Sequence, residues 1–156
     1  MKSDLNRKEI TKLLTKAAAM HFTKRGYAVN TEVGLLRKGK LRADVYCFAL
    51  NCFSVIVEVK SSKADFDTDK KHTEYRNYAS QMYILLPTRK LADYVADKVD
   101  CGVLYLCEST GHIKCRKPST KIEVDPLITM NMVLRMGYRG AEYTKRNTRR
   151  TRVFLT

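Results

Sequence analysis

Two apolar runs of this chain each carry a carboxylate at a place where a hydrophobic residue would cost less. Asp44 stands inside Leu41-Arg42-Ala43-Asp44-Val45-Tyr46-Cys47-Phe48, and Glu58 and Lys60 close the run Phe53-Ser54-Val55-Ile56-Val57-Glu58-Val59-Lys60. Both runs have the β-branched and aromatic content of strands, and Leu50-Asn51 lies between them to turn the chain, so they predict an adjacent antiparallel pair. Strand side chains alternate faces, which puts Glu58 and Lys60 on one face and lets hairpin pairing bring Asp44 within reach of Glu58. Two carboxylates and an ammonium then meet at one point of a sheet. Charges there are costly unless they pair with one another or with a metal.

The chemistry that wants this trio is metal-assisted phosphodiester hydrolysis. Two carboxylates and a nearby backbone carbonyl, that of Val59, hold Mg²⁺ (or Mn²⁺ as a substitute) without filling its octahedral shell, leaving positions for water and a phosphate oxygen. A lysine two residues after the second carboxylate can orient the attacking water and offset charge developing in the transition state. The competing reading is a structural Asp/Glu/Lys cluster at a strand end.

The rest of the chain reads as alternating helix and strand. Ser3 or Asp4 is a candidate cap for a helix to about Lys24, with Ile10, Leu13, Leu14, Ala17, Ala18 and Phe22 at helical spacing and Gly26 as its stop. Tyr27 to Leu36 reads as a first strand, and Arg37-Lys38-Gly39-Lys40 as a basic turn into the Asp44 strand. Residues 61–71 are polar, and a helix follows to about Ser80, with Asp65, Asp67 and Asp69 at its start. Met82-Tyr83-Ile84-Leu85-Leu86 is apolar on both faces, so it should be a central strand stopped by Pro87. Thr88 caps a helix presenting Leu91, Tyr94, Val95 and Val99, and a hairpin follows, Val103–Cys107 and His112–Arg116, turned by Glu108 to Gly111. The fold class expected is α/β, a mixed sheet flanked by helices in an αβββαβ core with a C-terminal hairpin. Residues 1–118 form that core. Residues 119–156 form a basic extension packed on or beside it, in which Pro126 to Met136 predicts a helix with Leu127, Met130, Leu134 and Met136 apolar. That helix would cover a sheet face or make a dimer.

Charge narrows the class of partner. Thirty Lys and Arg against 16 Asp and Glu give the 156 residues a net charge of +14, a balance that suits an anionic polymer. No run approaches the length of a membrane span, and Met1-Lys2-Ser3-Asp4 lacks the apolar core of a signal peptide, so a cytoplasmic location and no membrane are expected. The five cysteines, an odd number, read as reduced thiols, and the spacing of Cys101, Cys107, His112 and Cys115 does not suit a zinc knuckle. Candidate phosphate contacts are Lys38, Lys40, Arg42, Lys63, Lys70, Lys71 and Arg76, together with Lys145, Arg146, Arg149 and Arg150 in the tail. No serine lies in the nucleophile elbow that a Ser/His/Asp hydrolase requires.

Three stretches carry a family resemblance: Arg42-Ala43-Asp44-Val45, then Ile56-Val57-Glu58-Val59-Lys60-Ser61-Ser62, then Asp65-Phe66 and Asp69-Lys70-Lys71-His72-Thr73-Glu74-Tyr75. They resemble the PD-(D/E)XK nucleases with the restriction-endonuclease-like fold, and within them the MmcB-related DNA repair proteins. Ala43 replaces the proline of the superfamily name, His72 stands where an aromatic residue is expected, and Ala79-Ser80 occupies a place where an acid is often found. The resemblance implies a metal-dependent DNA endonuclease in which Asp44, Glu58 and the Val59 carbonyl bind metal and Lys60 positions water. It also makes Glu9 the candidate for a first-helix glutamate that completes the metal shell; an exposed helix glutamate beside Lys12 is the alternative.

The expected function is therefore Mg²⁺-dependent hydrolysis of DNA in repair, recombination or phage and host DNA processing. Three alternatives stay open: a nuclease-like fold that binds DNA without cutting, RNA as substrate, and a homodimeric resolvase of four-way junctions.

Overall fold

The computed structural model describes residues 5–35, 41–69 and 74–141. Among them a six-stranded sheet runs in the order β1-β2-β3-β4-β5-β6, so every strand lies beside its neighbour in the chain. The strands are β1 (Ala28–Gly34), β2 (Arg42–Phe48), β3 (Ser54–Val59), β4 (Gln81–Leu86), β5 (Gly102–Leu106) and β6 (Ile113–Lys117). β1, β2 and β3 pair antiparallel, β3, β4 and β5 pair parallel, and β6 returns antiparallel on β5. The mixed α/β sandwich is the class the sequence implies. β4, expected to be central, lies between two parallel neighbours.

Helices cover both faces. On one face α1 (Arg7–Thr23) lays Leu14, Ala18 and Phe22 against Val45, Val57, Val59 and Leu85. On the other, α3 (Arg89–Ala96) and α4 (Pro126–Gly140) bring Ala92, Val95, Met132 and Met136 onto Tyr46, Ile56, Ile84 and Leu86. Each large side chain buried this way stabilises the fold by roughly 1.5–3 kcal/mol before entropy is counted. No helix among the described residues is long and apolar enough to cross a membrane.

Several boundaries differ from the sequence reading. α1 is capped by Asn6, with Ser3 and Asp4 outside the described residues; Leu13, placed on the apolar stripe, is half exposed. The β2–β3 connection takes in residues 49–53, with Cys52 in the left-handed region at φ 67° and its N–H donated to the Ala49 carbonyl at 2.9 Å. The polar stretch after Lys60 turns helical earlier than expected: Ser62 accepts the Asp65 N–H and starts the short helix α2 (Lys63–Thr68), and a 3-10 turn, Glu74–Tyr78, follows. α4 buries Met132 and Met136 and leaves Leu127, Met130 and Leu134 exposed, because the sheet takes the helix on a face about half a turn from the Leu127-Met130-Leu134 stripe. Arg135 and Arg139 tie it to β1, donating to the carbonyls of Gly34 at 2.8 Å and Thr31 at 3.0 Å.

Candidate active site

β2 and β3 stop pairing at Val45 and Val57, two residues short of the carbonyl that closes β3. Continued by one step, the register sets Asp44 opposite Glu58. There the ladder is replaced by side chains: Glu58 Oε1 accepts the Asp44 N–H at 3.1 Å, and Asp44 Oδ2 accepts the Val59 N–H at 2.8 Å. Two backbone donors that would be left without strand partners are thus satisfied by the carboxylates themselves. This reciprocal pair fixes both acids at the frayed end of two otherwise apolar strands.

The third member of the trio follows from strand alternation. Lys60 projects from the same face as Glu58, is buried, and forms an ion pair with Asp69 just beyond α2. Its backbone N–H donates to the Leu85 carbonyl at 3.0 Å, so β4 holds the end of β3 in place. Asp65 anchors the same turn: its Oδ2 accepts the Ser61 N–H at 3.0 Å and the Ser61 hydroxyl at 3.1 Å, and its Oδ1 accepts from Arg7 at 2.6 Å. The Tyr75 hydroxyl donates to the Arg42 carbonyl from the opposite wall.

These residues line one cleft of about 540 Å³, with Asp44, Glu58, Val59 and Lys60 on its floor and Arg7, Thr11, Arg42, Asp65, Asp69 and Tyr75 around them. Among the described residues, the larger hollows beside α4 and between α1 and β1 contain none of the trio. Burial pushes the Glu58 carboxyl up to about 9, with the adjacent Asp44 charge adding to the effect. Burial also raises Asp44, against the opposing pull of the Val59 N–H and of Lys60. Burial and the neighbouring charge thus favour the protonated form of Glu58. Burial, then the charges of Glu58 and Asp44, push the Tyr75 phenol well above its ordinary range and keep it a neutral donor.

The donor set has a definite preference. Among the described residues no group of three or more His, Cys, Asp or Glu side chains could hold a metal ion. Two carboxylates beside one main-chain carbonyl do not make a closed cage; they suit a hard cation that keeps most of its water, as Mg²⁺ does.

The structure brings Asp44, Glu58, Val59 and Lys60 together and takes Glu9 elsewhere. Glu9 Oε2 accepts the Asn6 N–H at 2.8 Å while Asn6 Oδ1 accepts the Glu9 N–H at 3.0 Å, a capping box that closes the start of α1. Arg7 and Thr11, not Glu9, are the α1 residues that reach the cleft. Three candidate phosphate contacts have partners within the chain. Arg42 pairs with Glu32 at 2.8 Å; Lys63 pairs with Asp67 at 3.1 Å and lies 4.8 Å from the Tyr94 ring; Arg76 binds Ser119 and Thr120. Lys38, Lys40, Lys70, Lys71, Lys145, Arg146, Arg149 and Arg150 lie outside the described residues.

Two features of the site escaped the sequence reading. The sequence places Asp69 at a helix start, and only its return onto Lys60 reveals it as the lysine's partner. Glu32 falls opposite Asp44 across β1 and β2, between the pairs Thr31–Val45 and Val33–Ala43, with φ at 56°. A non-glycine residue in that region is a local strain that the surrounding strands must impose, and it aims the Glu32 side chain at Arg42 on the rim of the cleft.

A family model described as DNA repair protein MmcB-like matches residues 1–143. Among solved structures, a protein of unknown function from Silicibacter pomeroyi superposes with a TM-score of 0.73 at 18% identity, covering 97% of this chain and 99% of its own. Identity that low speaks for a shared fold. No curated protein matches the chain. The match over nearly the whole chain shows that it belongs to the MmcB-like family of DNA repair proteins.

Proposed function

We propose that this protein is a Mg²⁺-dependent DNA endonuclease of the PD-(D/E)XK type, hydrolysing phosphodiester bonds in DNA repair. The observation that carries the reading is the reciprocal bonding of Asp44 and Glu58 at the frayed end of β2 and β3, with Lys60 on the same face. Asp44, Glu58 and the Val59 carbonyl would hold the metal, with Mn²⁺ as a substitute. When bound, it would supply Lewis-acid polarisation of the phosphate and a more acidic water. Lys60 orients the nucleophile and offsets the charge that grows on the phosphate oxygens, and Asp69 sets where its ammonium stands. Net charge of +14 fits a polyanionic substrate.

One observation favours a second reading. The Lys60 ammonium is already engaged by Asp69, which suits a nuclease-like module that holds DNA without cutting it. The two readings separate on a panel of labelled duplex, single-stranded, flapped and four-way DNA incubated with Mg²⁺, Mn²⁺ or EDTA, with RNA alongside. Metal-dependent products that disappear in Lys60→Ala support the nuclease. Binding without cleavage on every substrate refutes it in favour of the second reading.

A further inference from the structure

We propose that the groove between α1 and β1 is the track along which a DNA strand reaches the carboxylate cleft, with Lys8, Lys12 and Lys16 gripping its phosphates. The inference rests on the proposed nucleic-acid substrate and adds the surface that delivers it.

The groove encloses about 780 Å³ and shares Arg7 and Thr11 with the cleft, so the two are continuous. Lys8, Lys12 and Lys16 follow one another at i, i+4 and i+8 and line it from end to end. At 1.5 Å per residue they span about 12 Å, the rise of roughly four phosphates on one strand of a duplex. All three are exposed, and among the described residues none of them forms a hydrogen bond or an ion pair. Arg42, Lys63 and Arg76 contrast with them, each being engaged inside the chain.

A stripe of this kind is unfavourable for the helix that bears it. Like charges one turn apart repel, and Lys8 sits in the first turn, where the helix dipole favours an acid. The acid that could offset the stripe, Glu9, spends its carboxylate on the cap. The hydroxyls of Thr11 and Thr15 are turned onto the helix carbonyls of Arg7 and Thr11, leaving the lysines as the free polar groups of that wall. Glu32, the acid on the facing strand, is neutralised by Arg42. With Glu32 paired, what the groove offers a charged partner is ammonium groups, which phosphates complement, and it leads them to the cleft.

The test uses the full chain in EDTA, so that binding is read without turnover. A fluorescent duplex is titrated between 50 and 200 mM salt with wild type, with Lys8→Gln/Lys12→Gln/Lys16→Gln, and with Lys90→Gln/Lys114→Gln/Lys121→Gln as a control of equal charge. Circular dichroism checks that each variant is folded. Each lost phosphate contact lowers the slope of log K against log salt by about 0.7 to 0.9, so the groove variant should lose roughly two to three units. It should bind about 100-fold more weakly at 0.1 M salt, while the control changes by less than about threefold. Unchanged affinity and slope in the groove variant, an equal loss in the control, or absence of DNA binding by wild type would each overturn the proposal. Cleavage by wild type with Mg²⁺, assayed in parallel, separates the two claims. A reduced slope without cleavage keeps the track and removes the nuclease; cleavage with an unchanged slope does the reverse.

Discussion

The Tyr75 hydroxyl donates to the Arg42 carbonyl at 3.1 Å, fastening the 3-10 turn on one wall of the cleft to the strand that carries Asp44. Tyr75 is buried, so Tyr75→Phe removes the donor without opening a cavity. Loss of one such bond should lower stability by about 1 kcal/mol. A urea titration would read this as a lower midpoint at unchanged slope; an unshifted midpoint would mean that the bond contributes nothing.

Asp44→Asn, Glu58→Gln and Lys60→Ala should each lower cleavage by at least ~10³-fold, because each removes a group that acts on the reacting phosphate or on the metal beside it. DNA binding should change by less than about threefold, since phosphate contacts made elsewhere dominate affinity. Mg²⁺ should raise the melting temperature of wild type, through preferential binding to the folded state, and leave Asp44→Asn and Glu58→Gln unmoved. Equal thermal shifts in all three proteins would place the metal elsewhere.

Asp69→Asn removes the negative partner of a lysine that is 8% exposed. Breaking a buried pair by deleting one member commonly costs about 3 kcal/mol. If Asp69 positions Lys60, the variant should lose kcat with KM nearly unchanged, and Asp69→Glu should recover part of it. A purely structural role would lower the denaturation midpoint and leave the kcat of the folded fraction intact.

His21 provides a pH dependence independent of the cleft. Burial, then the neighbouring Arg25, lowers its pKa from 6.5 to about 4, and its Nδ1 lies 3.0 Å from an Arg25 nitrogen, an arrangement that favours the neutral ring. The folded state therefore binds fewer protons than the unfolded state between these two values. The stabilisation is complete above pH 6.5 and is lost as pH falls towards 4. Because the ring is partly exposed, screening limits the effect to about 1 kcal/mol. His21→Gln should flatten this slope in urea melts from pH 7 to 4; a slope that persists would assign it to other groups.

The trio could be read from the chain because strand alternation is local: Glu58 and Lys60 share a face by spacing alone, and a short turn leaves Asp44 few registers in which to meet them. The Lys60–Asp69 pair was hidden because a loop has no period from which to project a direction. Glu9 misled for a related reason. Its spacing along α1 is compatible with the cleft, but a competing local bond to Asn6, three residues away, claims the carboxylate first. The buried face of α4 is only partly legible, in Met136, because methionines and leucines surround the helix and which of them is covered depends on where β1 receives Arg135 and Arg139.

The strands of the sheet lie side by side in the order in which a ribosome makes them. Each new strand can dock on the one just completed, so no pairing has to wait for a distant segment, a topology that keeps the folding search short. Both carboxylates and the N–H groups they accept belong to β2 and β3, and that hairpin is complete once Val59 has been added. Lys60 gains its partner nine residues later. During synthesis the acidic half of the site can assemble first and the cationic half last.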